Sequence, residues 1–290
     1  MLRILLVGKN GQIGWELLKT LGHSAVVVAP ERSELDVTSR QDVARFFEIV
    51  KPDIVINAIG YNDVDGAEQH KDEAISANVD ANANMAVVAC QINAFYLTYS
   101  TDYIFDGQKE TPYVETDPAN PLNTYGQTKL DGETAIVNSG VNFLILRTSS
   151  VFSLRRPCFL SSFLRKAQMD DQIQVRADLV SSPTSAQYLA KITAQIISMG
   201  GKKNLDWLCE RKGIYHLAGT GFASRFEWAQ EIRDILKLNV KILPATRSDF
   251  PIATDRPMYS ALDSSKFLDT YRLRLVAWKK MLKSVLDGFS

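Results

Sequence analysis

The first half of the chain alternates between short apolar runs and stretches with helical spacing. "RILLVG" (3–8) is almost continuously apolar, as a strand buried on both faces requires, and "IGWELLKTLG" (13–22) then takes up a spacing of three and four that stops at Gly22. "AVVVAP" (25–30) and "DIVINAIG" (53–60) repeat the strand pattern. Between them "SRQDVARFFEIVK" (39–51) repeats the helix, with Ser39 in the position of an N-cap. A long alanine-rich helix is predicted over 72–93, a strand over "AFYLTYS" (94–100), an exposed helix over "NTYGQTKLDGET" (123–134), and a strand read as the sixth over "NFLILRTSSVF" (142–152). Strand and helix in regular alternation with short connections predict an α/β fold: a doubly wound parallel sheet of the Rossmann type.

Past residue 152 the rhythm changes. "LRRPCFLSSFLRKAQ" (154–168) is amphipathic, "QIQV" is a short strand, and 185–200 is a second clear helix followed by the buried-strand pattern "GIYHLAG" (213–219). Ser224 and Glu227 open a helix over 224–236 with a capping-box signature. A strand at "VKIL" and a helix near "AWKKMLKSVLDGF" close the chain. Residues 1–152 are therefore expected to form a dinucleotide-binding domain. Residues 153–290 are expected to form mainly a smaller α/β substrate domain, with 185–219 returning to pack on the first. The boundary is a change of rhythm, and the one long Pro- and Thr-rich loop, "PATRSDFPIATDRP" (244–257), lies far beyond it.

Composition narrows the partners. With 290 residues, 46% hydrophobic and 33 positive against 33 negative side chains, the chain has no basic run that would serve nucleic acid or an anionic membrane surface. No stretch approaches the about 20 apolar residues that span a bilayer, and the N-terminus shows no leader pattern, so a cytoplasmic protein is expected. Cys90, Cys158 and Cys209 are odd in number and widely spaced, which predicts reduced thiols and no zinc site.

Three glycines, Gly8, Gly11 and Gly14, follow the first strand and open the first helix in "GKNGQIG". There a tight turn, a close backbone approach to a pyrophosphate and a close helix contact each need a missing side chain, and the helix N-terminus attracts the anion. The end of the second strand offers Glu31, as an acid for a ribose hydroxyl, beside Arg32, as a partner for a 2′-phosphate. NADPH and NADH both remain open, with Arg32 tilting the reading to NADPH. Tyr125 and Lys129 stand one helical turn apart, and Thr101 sits just beyond the strand 94–100, at the sheet edge where ligands of wound folds bind. A hydride arriving at a carbonyl leaves charge on oxygen, which calls for a proton donor. Tyr125 fits that role, with Lys129 expected to lower its pKa and hold the nicotinamide ribose, and Thr101 expected to bond the carbonyl.

The glycine turn, the Thr101 position and the Tyr-x-x-x-Lys pair together resemble the extended short-chain dehydrogenase/reductase family, and more closely its dTDP-4-dehydrorhamnose reductase branch. The matching segments, "GKNGQIGWEL", "PDIVINAIGYNDVDGAE", "YSTDYIFDG", "ETDPANPLNTYGQTKLDGE", "LRTSSVF", "SPTSAQYLA", "GIYHLAG" and "RPMYSAL", run in order over nearly the whole chain. The resemblance implies reduction of a 4-keto nucleotide-activated deoxysugar by NADPH or NADH, with Thr101, Tyr125 and Lys129 catalytic. It implies that Gly8, Gly11, Gln12, Ile13, Gly14, Arg32, Asp36, Val37, Ala58, Ile59 and Gly60, with Tyr125 and Lys129, line the cofactor. Thr101, Asp102, Tyr103, Ser150 and Arg256 are implied at the substrate, with Ser260 near it, in a monomer or homodimer.

Departures from the branch pattern bear on specificity. Ser150 stands where the branch usually has tryptophan. Ile59 and Gly60 replace an alanine pair, and Asn62 a threonine. Gln187 stands where a metal-bridged dimer uses glutamate, so although Glu16 fits that pattern no magnesium site is expected. Two other readings stay open: an NADP-binding regulatory subunit resembling the β subunit of methionine adenosyltransferase, and a reductase or epimerase of another sugar nucleotide. His23, His70 and His216 lack ligand spacing. His216 is expected to be a hydrogen-bonded strand residue, and Trp228 a core residue.

Overall fold

The computed structural model describes residues 1–22, 25–201, 204–250 and 254–288. His23, residues 251–253 of the Pro- and Thr-rich loop, and Phe289 of the predicted last helix lie outside them. The first half runs β1 (Arg3–Val7), α1 (Gln12–Leu21), β2 (Val26–Val28), α2 (Arg40–Val50), β3 (Ile54–Asn57), α3 (Gly66–Gln69), α4 (Lys71–Ile75), α5 (Ala81–Gln91), β4 (Phe95–Thr101), α6 (Thr124–Asn138) and β5 (Phe143–Thr148). The second runs β6 (Val151–Phe152), α7 (Phe159–Ala167), β7 (Gln172–Arg176), β8 (Val180–Ser181), β9 (Thr184–Ser185), α8 (Ala186–Met199), α9 (Asn204–Cys209), β10 (Gly213–His216), β11 (Ala223–Ser224), α10 (Arg225–Leu236), β12 (Lys241–Ala245), α11 (Ser265–Tyr271) and α12 (Trp278–Leu286).

Six parallel strands form the central sheet in the order β10-β5-β4-β3-β1-β2. Helices cover both faces, which is why the strands are apolar without interruption. Ile4, Leu6, Ile54, Ile56, Leu97 and Leu146 pack on one face against Leu17 and Leu21 of α1 and Leu189 and Ile196 of α8. Leu5, Val55, Tyr96 and Ile145 point the other way, onto Phe47 of α2, Met85 and Ala89 of α5 and Ile136 of α6. Full burial of each such aliphatic side chain contributes about 1.5–3 kcal/mol. Because β2 and β3 flank β1 on opposite sides, the winding reverses at β1, and the carboxyl ends of the strands open a crevice there.

A second core gathers Phe152, Leu160, Phe163, Val175, Trp228, Ile232, Trp278 and Leu282, beside the small parallel pair β7 and β12. Trp228 is its largest fully buried side chain. The capping box over α10 is complete: Glu227 N donates to Ser224 Oγ at 3.1 Å and Ser224 N to Glu227 Oε2 at 2.7 Å. His216 sits at the edge strand of the first sheet, its Nδ1 3.0 Å from the Tyr113 carbonyl.

Four predicted elements differ from the structure, and one is the helix over 123–134: it is not an exposed helix, because Tyr125, Thr128, Lys129 and Glu133 of α6 are buried against the rest of the first core. The strand over 142–152, fifth in chain order, is cut in two: β5 ends at Thr148, and β6 leaves to pair with β9. Ser150 turns the chain with φ 45°, a left-handed conformation costing about 1–2 kcal/mol, and its hydroxyl is held 2.7 Å from Ser181 Oγ. The helix over 72–93 spans 71–91 but carries a π-helical turn at Ser76–Asp80. Within that turn Asn78 takes the Tyr61 N–H at 2.9 Å and donates to Thr128 Oγ1 at 3.0 Å, so tertiary bonds offset the irregular backbone. Helix α7 begins at Phe159 because Pro157 keeps Arg156 out of the helical region.

Helix α6 lies so close to the π-helical turn that a Cβ on Gly132 would stand 2.2 Å from the Asn78 carbonyl oxygen. In an exposed helix a Gly→Ala change stabilises by up to about 1 kcal/mol. At this contact the overlap outweighs that gain. Gly132→Ala is expected to destabilise the protein by about 1–3 kcal/mol, read as a lower urea midpoint; an unchanged or raised midpoint would show that the two helices are not in this contact.

Candidate active site

A cleft of about 540 Å³ opens at the carboxyl ends of β1, β3, β4 and β5. Its first wall is the glycine turn between β1 and α1. Gly8 has φ +93°, and a Cβ on it would lie 2.7 Å from the Ala58 carbonyl carbon; a Cβ on Gly14 would lie 2.1 Å from the Gly8 oxygen. Backbone packing thus excludes a side chain at both. Gly11 differs, because a Cβ there would meet the Gly8 oxygen at an ordinary 3.4 Å, and the residue faces the cleft together with Gln12 and Ile13. As N-cap of α1 it supplies no side-chain acceptor, so the first-turn amides point to open space, as an anion site needs.

The second wall comes from β4 and α6. Helix α6 starts where Asn123 Oδ1 accepts the Gly126 N–H at 2.8 Å and Glu68 takes the Thr124 N–H at 2.7 Å and its hydroxyl at 2.9 Å. Tyr125 and Lys129 follow on the buried face, and both line the cleft with Thr101. Burial pushes the Tyr125 phenol up from its ordinary pKa; the Thr101 hydroxyl opposes that shift, and the Asp102 carboxylate adds to it. Tyr103 packs edge-on against the Tyr125 ring, with centroids 5.7 Å apart. Lys129 is not among the groups that shift the Tyr125 phenol. Its ammonium donates to the Tyr99 carbonyl at 2.7 Å, and burial lowers its own pKa to about 8 against the pull of Glu133.

Asp102 is sealed beneath the cleft. Its carboxylate accepts hydroxyl bonds from Ser149 at 2.8 Å, Ser260 at 2.5 Å and Thr101 at 3.2 Å, while burial raises its pKa. Ser260 therefore acts on the site through Asp102 and is not part of the cleft lining. Arg256 is likewise set back from that lining, in an ion pair with Asp65 at 2.6 Å.

Of the other expected residues, Ala58, Ile59, Asp102, Tyr103 and Ser150 line the cleft, whereas Arg32, Asp36, Val37 and Gly60 stand outside its lining. Val37 is packed in the core, and Asp36 accepts from the Thr38 N–H at 2.9 Å. Glu31 is engaged by Lys9 Nζ at 2.9 Å and Asn10 Nδ2 at 3.0 Å, which fixes it at the glycine turn, and Arg32 is exposed beside Asp36.

The residues fit a dinucleotide. Ser100 Oγ and Thr148 Oγ1, at the ends of β4 and β5, are buried, have no partner and line the cleft floor. A buried hydroxyl without a partner costs about 1–3 kcal/mol, which a polar ligand relieves. Neither residue was picked out in the sequence, although both follow from the rule that sites form at strand carboxyl ends. Arg156, Cys158, Phe159 and Arg225 also line the cleft. They come from the second core, and no sequence signal ties them to it.

Comparison with known proteins agrees with this geometry. The family model described as the RmlD substrate binding domain matches residues 2–290. A dTDP-4-dehydrorhamnose reductase of Burkholderia thailandensis is 34% identical over 286 residues, 96% of each chain. One of Escherichia coli is 33% identical over 99% of this chain and 97% of its own. Among solved structures, a dTDP-4-dehydrorhamnose reductase of Clostridium acetobutylicum superposes with TM-score 0.91 at 31% identity, covering 99% of both chains. The Bacillus anthracis enzyme, solved in complex with NADP, gives 0.91 at 28% identity over the same shares.

The low pKa of Lys129 makes stability depend on pH. Its folded value, about 8, lies below the 10.5 of the free side chain, so a cost of folding is present at every pH below about 8. That cost fades as pH rises from about 8 toward 10.5, because the unfolded chain then binds more protons. Between pH 7.5 and 9.5, wild type is expected to gain on the order of 1–2 kcal/mol relative to Lys129→Met in isothermal urea unfolding. Parallel curves for the two proteins would show that Lys129 is not buried as described.

Proposed function

We propose, from the premise that the chain belongs to the family of the RmlD substrate binding domain, that it is an NAD(P)H-dependent reductase of a 4-keto nucleotide-activated deoxysugar, converting dTDP-4-dehydrorhamnose to dTDP-L-rhamnose. The observation that carries this reading is the convergence of Thr101, Tyr125 and Lys129 on one cleft beside the glycine turn. NADPH or NADH, when bound, supplies the hydride. The engagement of Glu31 by Lys9 and Asn10, beside an exposed Arg32, favours NADPH.

The chain's own residues handle the proton and the orientation. As hydride reaches C4, the carbonyl π pair moves onto oxygen, and the resulting alkoxide takes the proton of Tyr125 Oη, leaving a phenolate. A phenol whose pKa is pushed up by burial is fully protonated at neutral pH, the state from which a donor must start. Thr101 holds the oxygen that becomes the alkoxide. Its single hydroxyl proton, given to Asp102 at 3.2 Å, turns to that oxygen, while the Tyr103 N–H, which Thr101 accepts at 3.2 Å, keeps the hydroxyl oxygen in place. Lys129, tied to the Tyr99 carbonyl and lining the same cleft, keeps donors free for the nicotinamide ribose. Because both substrates are charged nucleotides, the reaction belongs in the cytoplasm in this reading, carried out by a monomer or homodimer.

Tyr125→Phe tests it. NADPH oxidation with dTDP-4-dehydrorhamnose is expected to fall by about 10²–10⁴-fold with NADPH affinity retained. Undiminished turnover in the variant would remove Tyr125 from the chemistry. A wild-type protein that binds NADPH but oxidises none with any nucleotide-linked keto sugar would point to the regulatory reading.

A further inference from the structure

Arg225, the first residue of α10, lines the cleft from the side of the second core. Its guanidinium carbon lies 4.7 Å from the centroid of the Phe159 ring and 5.0 Å from that of Trp228, and its Nη2 donates to Ser150 Oγ at 3.2 Å. Ser150 is in turn bonded to Ser181. Among the described residues no carboxylate forms an ion pair with Arg225. Asp102, the one carboxylate whose charge acts on it, is already bonded by three hydroxyls. A guanidinium packed against two touching aromatic rings, partly desolvated and held by one neutral hydroxyl, retains donors that only an anionic oxygen satisfies well. The aromatic rings limit the freedom of the guanidinium, which lines the cleft.

The other arginine of the cleft, Arg156, donates Nε to the Asn10 carbonyl at 3.1 Å and so belongs to the glycine turn, where the dinucleotide's own pyrophosphate would sit. Among the described residues Arg225 has no bond to that turn, and it stands beside Tyr103 and Ser150. We infer that Arg225, oriented by Ser150 and the Phe159 and Trp228 rings, is the residue that grips the diphosphate of the nucleotide-sugar substrate. The inference rests on the reading that the substrate is a nucleoside-diphosphate sugar, whose only obligatory anionic group is that diphosphate. It also gives Ser150 a purpose: a small hydroxyl residue there leaves room for the guanidinium and fixes it, where a tryptophan would occupy the space.

The test is calorimetric binding of dTDP and thymidine to the full chain saturated with NADP. In wild type dTDP is expected to bind far more tightly than thymidine. Arg225→Gln should weaken dTDP roughly 10- to 100-fold, the range for a hydrogen bond to a charged group, while thymidine and NADPH stay within about twofold. Arg225→Lys, which keeps the charge, should recover part of the loss, and Ser150→Ala should lose a smaller part. Unchanged dTDP affinity in Arg225→Gln overturns the inference, as does an equal loss of thymidine or NADPH. The two readings fail separately. Diphosphate binding that depends on Arg225, without any NADPH oxidation on keto sugars, sinks the reductase and leaves the grip. Oxidation with dTDP affinity indifferent to Arg225 does the reverse.

Discussion

The approach of α6 to the rest of the first core is the constraint on which the site depends. A Cβ on Gly126 would stand 2.2 Å from the Tyr103 carbonyl oxygen, and one on Gly132 the same distance from that of Asn78. Gly126 directly follows Tyr125 and Gly132 lies three residues past Lys129, so those side chains reach the strand ends only because the helix meets backbone at both contacts. Asn78 couples the geometry further by bonding the loop after β3, through Tyr61, and α6, through Thr128. The loop after β3 and the helix carrying Tyr125 and Lys129 are thereby held by one buried amide.

Charge in this region is handled by giving each buried ion a partner while leaving a few neutral groups without one. Arg147 and Glu133 form a buried bidentate pair, with contacts of 2.7 and 3.0 Å. Lys129 leans on a carbonyl, and Asp102 on three hydroxyls. An unpaired buried charge would cost far more than an unpaired hydroxyl. It is therefore consistent that the orphans on the cleft floor are Ser100 and Thr148, whose penalty a folded domain can carry until a ligand arrives. The guanidinium of Arg225 is the exception: a charge without a carboxylate, in the part of the cleft where an anionic substrate group is expected.

Much of this was legible from residues alone, for definite reasons. Strands buried on both faces leave continuous apolar runs, and a capping box or an N-cap such as Ser39 works through bonds within three residues: Ser39 Oγ accepts the Asp42 N–H at 3.3 Å. Tyr125, Lys129 and Thr101 were readable because one helix and one strand end carry them. What could not be read depends on partners distant in sequence. The π-helical turn exists because Asn78 bonds residues 17 and 50 positions away. The direction of the Tyr125 shift turns on how deeply the phenol is buried, which spacing does not encode. Arg225 reaches the cleft only because two cores meet there.

Ser150 shows how those cores are joined. The central sheet could have continued through residues 149–152, whose apolar and small side chains suit a strand. Instead the chain turns left-handed at Ser150 and sends Val151 and Phe152 into the pairing with β9. A serine tolerates that conformation at modest cost when its hydroxyl is satisfied, and here the hydroxyl meets both Ser181 and Arg225. The bond network that offsets the backbone cost is thus the one that orients the guanidinium. One residue thus marks where the sheet ends, where the second core is attached and what holds the Arg225 guanidinium.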